Sequence, residues 1–366
     1  ALPAILALTE LPPGTRMAWA VSASGEYPAL VGRGLLELSP LGRAARHGEI
    51  GLGGRAFCVT DATVAPLYAD ALEPFAARIE VPAGERAKTF AELERVLREL
   101  ARAGATRSDH LVALGGGSVG DLAGFCAATY QRGIPVVHVP TTLVGQVDSA
   151  YGGKTGIDLP EAKNYVGAYH QPAAVIADQA TLDTLPGGEL AAGFVEVVKT
   201  ALLAGGPLWE RVRTIEALDS EALDDVIFAC VRTKLAVVAA DERDRGRRAV
   251  LNLGHTVGHA IEAAGGYSRQ RHGEAVGLGL LAALRLSGAG DLRAEVGEML
   301  ARHGLPTELD PELSTDEILA AIERDKKRTA AGVGFVLLGR PGEPVPGQPV
   351  DASRVRAAVE ELRDPG

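Results

Sequence analysis

Residues 111–172, LVALGGGSVGDLAGFCAATYQRGIPVVHVPTTLVGQVDSAYGGKTGIDLPEAKNYVGAYHQP, restrict what this chain can fold into more than any other stretch. An apolar strand over 111–114 stops at Gly115, Gly116 and Gly117. A helical segment is expected over 121–130, and a second buried strand over 134–139 runs into Pro140, Thr141 and Thr142. Strand, glycine turn and helix together form an anion cradle, because backbone N–H groups converge there and the helix dipole favours negative charge. The polar, glycine-rich passage that follows carries Asp148, Lys154, Lys163 and Asn164. A purely structural loop requires no such collection of glycines, lysines and carboxylates. The run reads as a nucleotide-cofactor site beside an anionic substrate.

Gly115-x-Gly117-x-x-Gly120 has the spacing of a dinucleotide-binding turn. The acidic residue expected about twenty positions on is missing, since the next strand ends in Pro-Thr-Thr, so the turn binds phosphate in a non-standard setting. Upstream, RAFCVTD reads as a buried strand ending in Asp61. An acid at that point can bind a ribose hydroxyl or cap the helix that follows, and the two readings weigh equally. IEVPAGERAK sets a strand before Glu85, Arg86, Ala87 and Lys88, and TFAELERVLRELARAG is an amphipathic helix. This strand–helix alternation to about residue 180 predicts a parallel sheet covered by helices.

Beyond Pro186 the period changes to helical through ELAAGFVEVVKTALLAG, LDDVIFACVRTKLAVVAADERD, VLNLGHTVGHAIEAAGG and HGEAVGLGLLAALRLSGAG. VGFVLLG reads as one isolated strand near the end. With 366 residues, two domains are expected. They divide as 1–186 and 187–366, with residues 1–16 an extension and the site between the two. A net charge of −10 argues against a nucleic-acid surface. Three cysteines, Cys58, Cys126 and Cys230, are odd in number and lie mostly in apolar runs, which fits reduced core residues in the cytoplasm. No apolar run reaches membrane-spanning length, and the opening ALPAILALT lacks the basic region of a signal peptide.

Gly254-His255-Thr256-Val257-Gly258-His259 puts two imidazoles four residues apart on one helix face, and His272 follows seventeen residues after His255. Glu196, on an earlier helix, can complete a Glu/His/His set that leaves a coordination position open. Three of the eight histidines fall within eighteen residues, beside Glu262 and Glu274, which favours metal over scattered core or surface histidines. Arg132, Lys154, Lys163, Lys199, Lys234, Arg248, Lys326 and Lys327 sit in or beside these motifs. Such a basic set on an acidic chain points to a substrate bearing phosphate and carboxylate.

In GGGSVGDLAGFCAATYQRGIPVVHVPTTLVGQVDSAYGGKTGIDLPEAKN, then GFVEVVK, DERD, NLGHTVGHAIE, HGEAVGLG and DKK, the chain resembles the 3-dehydroquinate synthases of the sugar-phosphate cyclase superfamily. The likeness runs in order from about residue 55 to 340. It implies an α/β N-terminal nucleotide-binding domain with a parallel, Rossmann-like sheet, a mostly α-helical C-terminal metal-binding domain, and a homodimer. The implied reaction turns the anionic sugar phosphate 3-deoxy-D-arabino-heptulosonate 7-phosphate into 3-dehydroquinate and phosphate, with transient use of NAD. The implied ligands of zinc or cobalt are Glu196, His255 and His272. NAD would lie on Glu85, Arg86, Ala87 and Lys88, on Gly116, Gly117, Ser118, Val119, Gly120 and Asp121, and on Thr141 and Thr142. It would also meet Thr181, Leu182, Asp183 and Thr184, with Asp61 near the ribose and Lys154 and Lys163 in reach. Arg132, Lys154, Lys163, Asn164, Lys199, Lys234, Arg248, Lys326 and Lys327 would grip the substrate. Asp148, Asp244 and His259 would complete the polar network, His259 handling protons.

Three positions depart from the family pattern. DERD ends in Asp244 where Glu is usual, which keeps the charge on an arm one carbon shorter. Asp158 stands where Asn is more usual, and Ala162 where Gly is usual. Alternatives within reach of the same motifs are an amino-dehydroquinate or 2-deoxy-scyllo-inosose synthase, and a metal-dependent polyol dehydrogenase.

Overall fold

Aliphatic runs bounded by glycine and proline become the strands of one sheet. In the computed structural model, which describes residues 11–36, 52–267, 269–328 and 334–363, the chain divides into two compact units. The first takes Ala1–Leu185 with Lys234–Ala239, and the second takes Pro186–Thr233 with Ala240–Gly366. Nine strands belong to the first unit: β1 (Arg16–Ser22), β2 (Gly25–Gly32), β3 (Ala56–Asp61), β4 (Ala77–Val81), β5 (His110–Gly115), β6 (Val136–Pro140), β7 (Lys154–Leu159), β8 (Ala162–Tyr169) and β9 (Ala174–Asp178). Seven of them form a sheet in the order β1-β2-β9-β6-β5-β3-β4, parallel throughout except for the β1–β2 hairpin.

Side chains alternate across this sheet with the period of two that pleating imposes. Phe57, Val59, Leu111 and Ala113 join one core with Val96 and Leu100 of helix α2 (Phe90–Arg102) and Leu122 and Ala123 of α3 (Gly117–Thr129). Cys58, Val112 and Leu114 face the other core, with Leu35, Ala65 of the short α1 (Ala65–Tyr68) and Ile176. Of residues 1–16, read from sequence as an extension, the first ten lie outside the described residues. Leu11 packs against the second of these cores, and Arg16 opens β1.

Helix α3 begins at Gly117, four residues before the sequence expectation, because packing on the sheet overrides the low helix propensity of its glycines. The polar, glycine-rich passage, for which no strand was read from sequence, forms an antiparallel hairpin, β7–β8. Its glycines and charges hide the alternation that marks a strand.

The second unit is built from α4 (Gly187–Ala204), α5 (Gly206–Val212), α6 (Asp224–Ala240, whose 234–239 count with the first unit), α7 (His255–Ala264), α8 (His272–Leu286), α9 (Gly290–Arg302), α10 (Thr315–Arg328) and α11 (Ala352–Glu360). The strand expected to stand alone, β10 (Phe335–Leu338), pairs with β11 (Pro344–Gln348). PVPGQ carries too much proline and glycine to read as a strand from sequence.

Helices α7 and α8 approach backbone to backbone. A Cβ on Gly279 would stand 2.0 Å from the Gly254 carbonyl oxygen and 2.8 Å from the Gly258 nitrogen. Gly254, at φ +79°, also starts α7 in the left-handed conformation that glycine adopts freely. Gly279→Ala should therefore destabilise the second unit by about 1–3 kcal/mol through overpacking. A urea midpoint equal to that of the parent chain would refute this contact.

Candidate active site

The cofactor-type residues expected from the first unit gather at the carboxyl ends of its parallel strands. Asp61 ends β3, Gly115 ends β5, Thr141 and Thr142 follow β6, and residues 181–184 follow β9. Connections leave β3 toward β4 and β5 toward β6, in opposite directions along the sheet, so β3 and β5 flank the topological switch point where open α/β sheets bind ligands. Helix α3 starts there, with Gly116 as its N-cap, and its first-turn N–H groups lack intrahelical acceptors by geometry. A Cβ on Gly116 would stand 2.9 Å from Thr142 Cγ2, so any larger residue there would force the Thr142 side chain to shift.

Asp61 Oδ1 accepts hydrogen bonds from the backbone N–H of Thr63 (2.8 Å) and Val64 (3.0 Å), closing the turn that leads into α1, whose N-cap is Val64. Thr181 and Thr184 are braced: Thr181 Oγ1 donates to the Asp178 carbonyl at 2.7 Å, and Thr184 Oγ1 lies 2.5 Å from Tyr68 Oη. Leu182 is buried, and Asp183 pairs with Arg33 at 2.6 Å. Gln146, which the sequence reading passed over, is fully buried. It donates to the carbonyls of Pro140 and Asp178 and to Thr181 Oγ1 at 3.0 Å, clamping the ends of β6 and β9. Nothing in its sequence context marks that role.

Glu85, Arg86 and Ala87 form a single turn after β4, and Lys88 beyond it is 2% exposed. Lys88 Nζ lies 2.9 Å from Asp121, 3.6 Å from Glu85 and 3.7 Å from Asp158, and donates to Asn164 Oδ1. Burial alone would lower its pKa, but the charges of Asp121, Glu85 and Asp158 outweigh burial and raise it. Burial holds Asp121 above the usual carboxylate range. Ser118 Oγ donates to Glu85 at 3.3 Å, joining this turn to the start of α3. Asp158, the departure noted in sequence, accepts the Asn164 backbone N–H at 2.6 Å and so holds Asn164 at φ +54°. Lys154 is exposed at the start of β7, Lys163 lies on β8, and exposed Arg132 ends the turn after α3 at φ +70°. Lys234 pairs with Asp148.

The metal-type residues form their own group in the second unit. Donor atoms of His255, His259 and His272 all lie within 4.8 Å of one another. Glu196 Oε1 lies 3.6 Å from His255 Nε2 and 3.5 Å from His272 Nε2. Both Glu196 oxygens are buried without a hydrogen bond of good geometry, although Lys199 Nζ stands beside Oε2 as an ion pair. A buried carboxylate facing two imidazole nitrogens with its oxygens unsatisfied is the donor set a divalent cation completes, so these residues fit a zinc-type ion. His255 and His272 are common to the two possible triads, one closed by Glu196 and the other by His259. Lys199, expected on the substrate, is 1% exposed and engaged with Glu196. Arg248, also 1% exposed, donates through Nη1 to the Glu242 carbonyl at 2.7 Å. Asp244 sits at φ +57°. Lys326 and Lys327 lie on α10, with side chains outside the described ones.

The imidazoles differ in protonation. Burial, then the Lys199 charge, hold His255 well below its ordinary value, so it is neutral at pH 7. Burial would lower His272 too, but its contacts with Glu196 and Glu262 outweigh that and push it up to about 10. Burial would raise Glu196, and Lys199, His255 and His272 reverse this and keep it ionised. A metal on His272 must therefore displace one proton. Zinc affinity should rise about tenfold per pH unit between pH 6.5 and 8.5. Competition against a chromophoric chelator reads this slope, and a flat profile would refute the proton displacement.

The N-terminal family model of 3-dehydroquinate synthase matches residues 78–192, and the C-terminal model matches residues 193–328. The 3-dehydroquinate synthase of Symbiobacterium thermophilum is 44% identical over 354 residues, covering 92% of this chain and 98% of that relative. The structure of 2-epi-5-epi-valiolone synthase from Streptomyces hygroscopicus subsp. jinggangensis, with NAD+ and Zn2+ bound, superposes with a TM-score of 0.83 at 28% identity, covering 94% of this chain and 99% of that one. A 2-deoxy-scyllo-inosose synthase complexed with carbaglucose-6-phosphate, NAD+ and Co2+ shares the fold at a TM-score of 0.80, 24% identity and coverage of 94% and 99%. The chain belongs to the 3-dehydroquinate synthase family.

Proposed function

We propose that the chain converts 3-deoxy-D-arabino-heptulosonate 7-phosphate to 3-dehydroquinate and inorganic phosphate, with NAD and a zinc or cobalt ion as cofactors. The observation that carries this reading is the buried Glu196 carboxylate facing His255 and His272, in a chain whose relatives over nearly its whole length are 3-dehydroquinate synthases. When bound, NAD supplies a reversible hydride acceptor and the divalent ion polarises a substrate hydroxyl. The overall change is loss of phosphate and ring closure without net oxidation, so the chain's own residues bind, orient and move protons.

Lys154, Lys163, Arg132 and Arg248 supply charge for the phosphate and carboxylate, with Lys326 and Lys327 of α10 as further cations. Asn164, held by Asp158 and Lys88, offers its amide to hydroxyls. Lys199 beside Glu196 keeps that carboxylate ionised, and Lys234 pairs with Asp148. His259 is exposed, which suits a group that exchanges protons with solvent. Asp244 completes the polar set. The residues at the strand ends, from Glu85–Lys88 to Thr181–Thr184, form the NAD-binding part of the first unit, and the second unit is the metal-binding domain.

The three cysteines are buried and outside any disulfide among the described residues, which supports a reducing cytoplasm, and no described helix is long and apolar enough to cross a membrane. A homodimer is part of the reading. Trp19 and Val21, 40% and 54% exposed, share one face of β1, the terminal strand of the described sheet. Light scattering should return twice the 38.0 kDa chain mass, and a single chain mass would refute the dimer.

The activity test supplies the heptulosonate phosphate to the zinc-loaded protein with catalytic NAD. Phosphate should appear in proportion to substrate with no lasting reduced cofactor. Reduced cofactor accumulating without phosphate would make the chain a polyol dehydrogenase instead, and silence on this substrate alone would point to another sugar phosphate. Glu196→Gln and His272→Ala should each lose metal and more than about a hundredfold in turnover. Full activity in either variant would remove that residue from the ligand set.

A further inference from the structure

His272, a metal ligand through Nε2, has a second ring nitrogen that faces Glu262. Glu262 lies on α7, seven residues after His255 and ten before His272, and is 4% exposed. Its Oε2 stands 3.1 Å from His272 Nδ1. His272 Nε2 faces the other way, 3.5 Å from Glu196 Oε1. His255 repeats the arrangement with a neutral acceptor, its Nδ1 lying 3.2 Å from the Leu253 carbonyl oxygen and its Nε2 facing Glu196.

We propose that Glu262 is the positioning residue of the metal centre, accepting the Nδ1–H of His272 so that Nε2 presents its lone pair to the cation. This inference rests on the reading of His272 as a ligand. A backbone carbonyl can only accept from the ring, whereas an ionised carboxylate also makes the imidazole a stronger donor. Glu262 contributes buried charge as well. With a divalent ion present, Glu196, Glu262 and Lys199 together with the ion leave one net positive charge in the buried group; without Glu262 there would be two. Since α7 carries His255, His259 and Glu262 while α8 begins at His272, the contact also ties the two ligand-bearing helices together at the metal end.

Zinc affinity of the full chain, measured by chelator competition at one fixed pH, tests this with Glu262→Ala and Glu262→Gln. The alanine variant should bind zinc about 10- to 100-fold more weakly. The glutamine variant keeps an acceptor oxygen but no charge and should fall between it and the parent. Visible absorption of the cobalt-loaded proteins should shift in the alanine variant at saturating metal, a change that loss of stability alone would not produce. Parent-like zinc affinity in the glutamine variant and parent-like cobalt spectra together would overturn the proposal, and the glutamine variant decides alone if the alanine variant does not fold. A parent chain that takes up no zinc overturns the metal reading and this inference with it, whereas uptake by the parent with unchanged affinity in both variants overturns this inference only.

Discussion

A carboxylate removed from water must find counter-charge or coordination, and Glu196 organises the second unit on those terms. It lies in the middle of α4, a helix buried nearly all round, with both oxygens away from solvent. Lys199, one turn on, supplies one counter-charge, and the Nε2 atoms of His255 and His272 supply the coordinating face. Removing one partner from such a buried ionic group costs on the order of 3–5 kcal/mol, so the fold has to bring α4, α7 and α8 together closely. The glycines at 254, 258 and 279 permit that approach, because a methyl group at Gly279 would occupy the space of a backbone oxygen.

The first unit solves the same problem with opposite sign. Lys88 is a buried cation surrounded by Asp121, Glu85 and Asp158, and its bond to Asn164 links the turn after β4 to the β7–β8 hairpin. The elements that meet there come from four separate stretches of chain. A buried cation is costly unless it is partnered, which makes the geometry of the carboxylates around Lys88 specific. Asp158 in place of the family's usual Asn adds a carboxylate to the group and still accepts the Asn164 N–H, so the substitution keeps the hairpin tip in its left-handed turn.

Much of this was legible in the chain itself. Buried parallel strands declare themselves as continuous aliphatic runs, so β3, β5 and β6 and the change to helical periodicity past Pro186 could be read directly. The glycine turn before α3 and the i, i+4 histidines of α7 carry their chemistry in local spacing, and the order of motifs pointed to the family. What failed was local too. Helix α3 began four residues early on glycines that only packing makes helical, while the β7–β8 hairpin and β11 were hidden by glycine, proline and charge.

From sequence alone came the residue types, their spacing along single elements, and hence the class of fold and of chemistry. The tertiary structure alone decided which groups on separate elements pair: Glu262 with His272, Gln146 with Thr181, and Lys88 with Asn164. It also decided that Asp61 closes the turn leading into α1. Periodicity reports which face of an element is apolar, but a hydrogen bond between residues 76 positions apart leaves no local trace. Its existence depends on the burial that makes an unpartnered charge too costly to keep, and burial is a property of the folded chain.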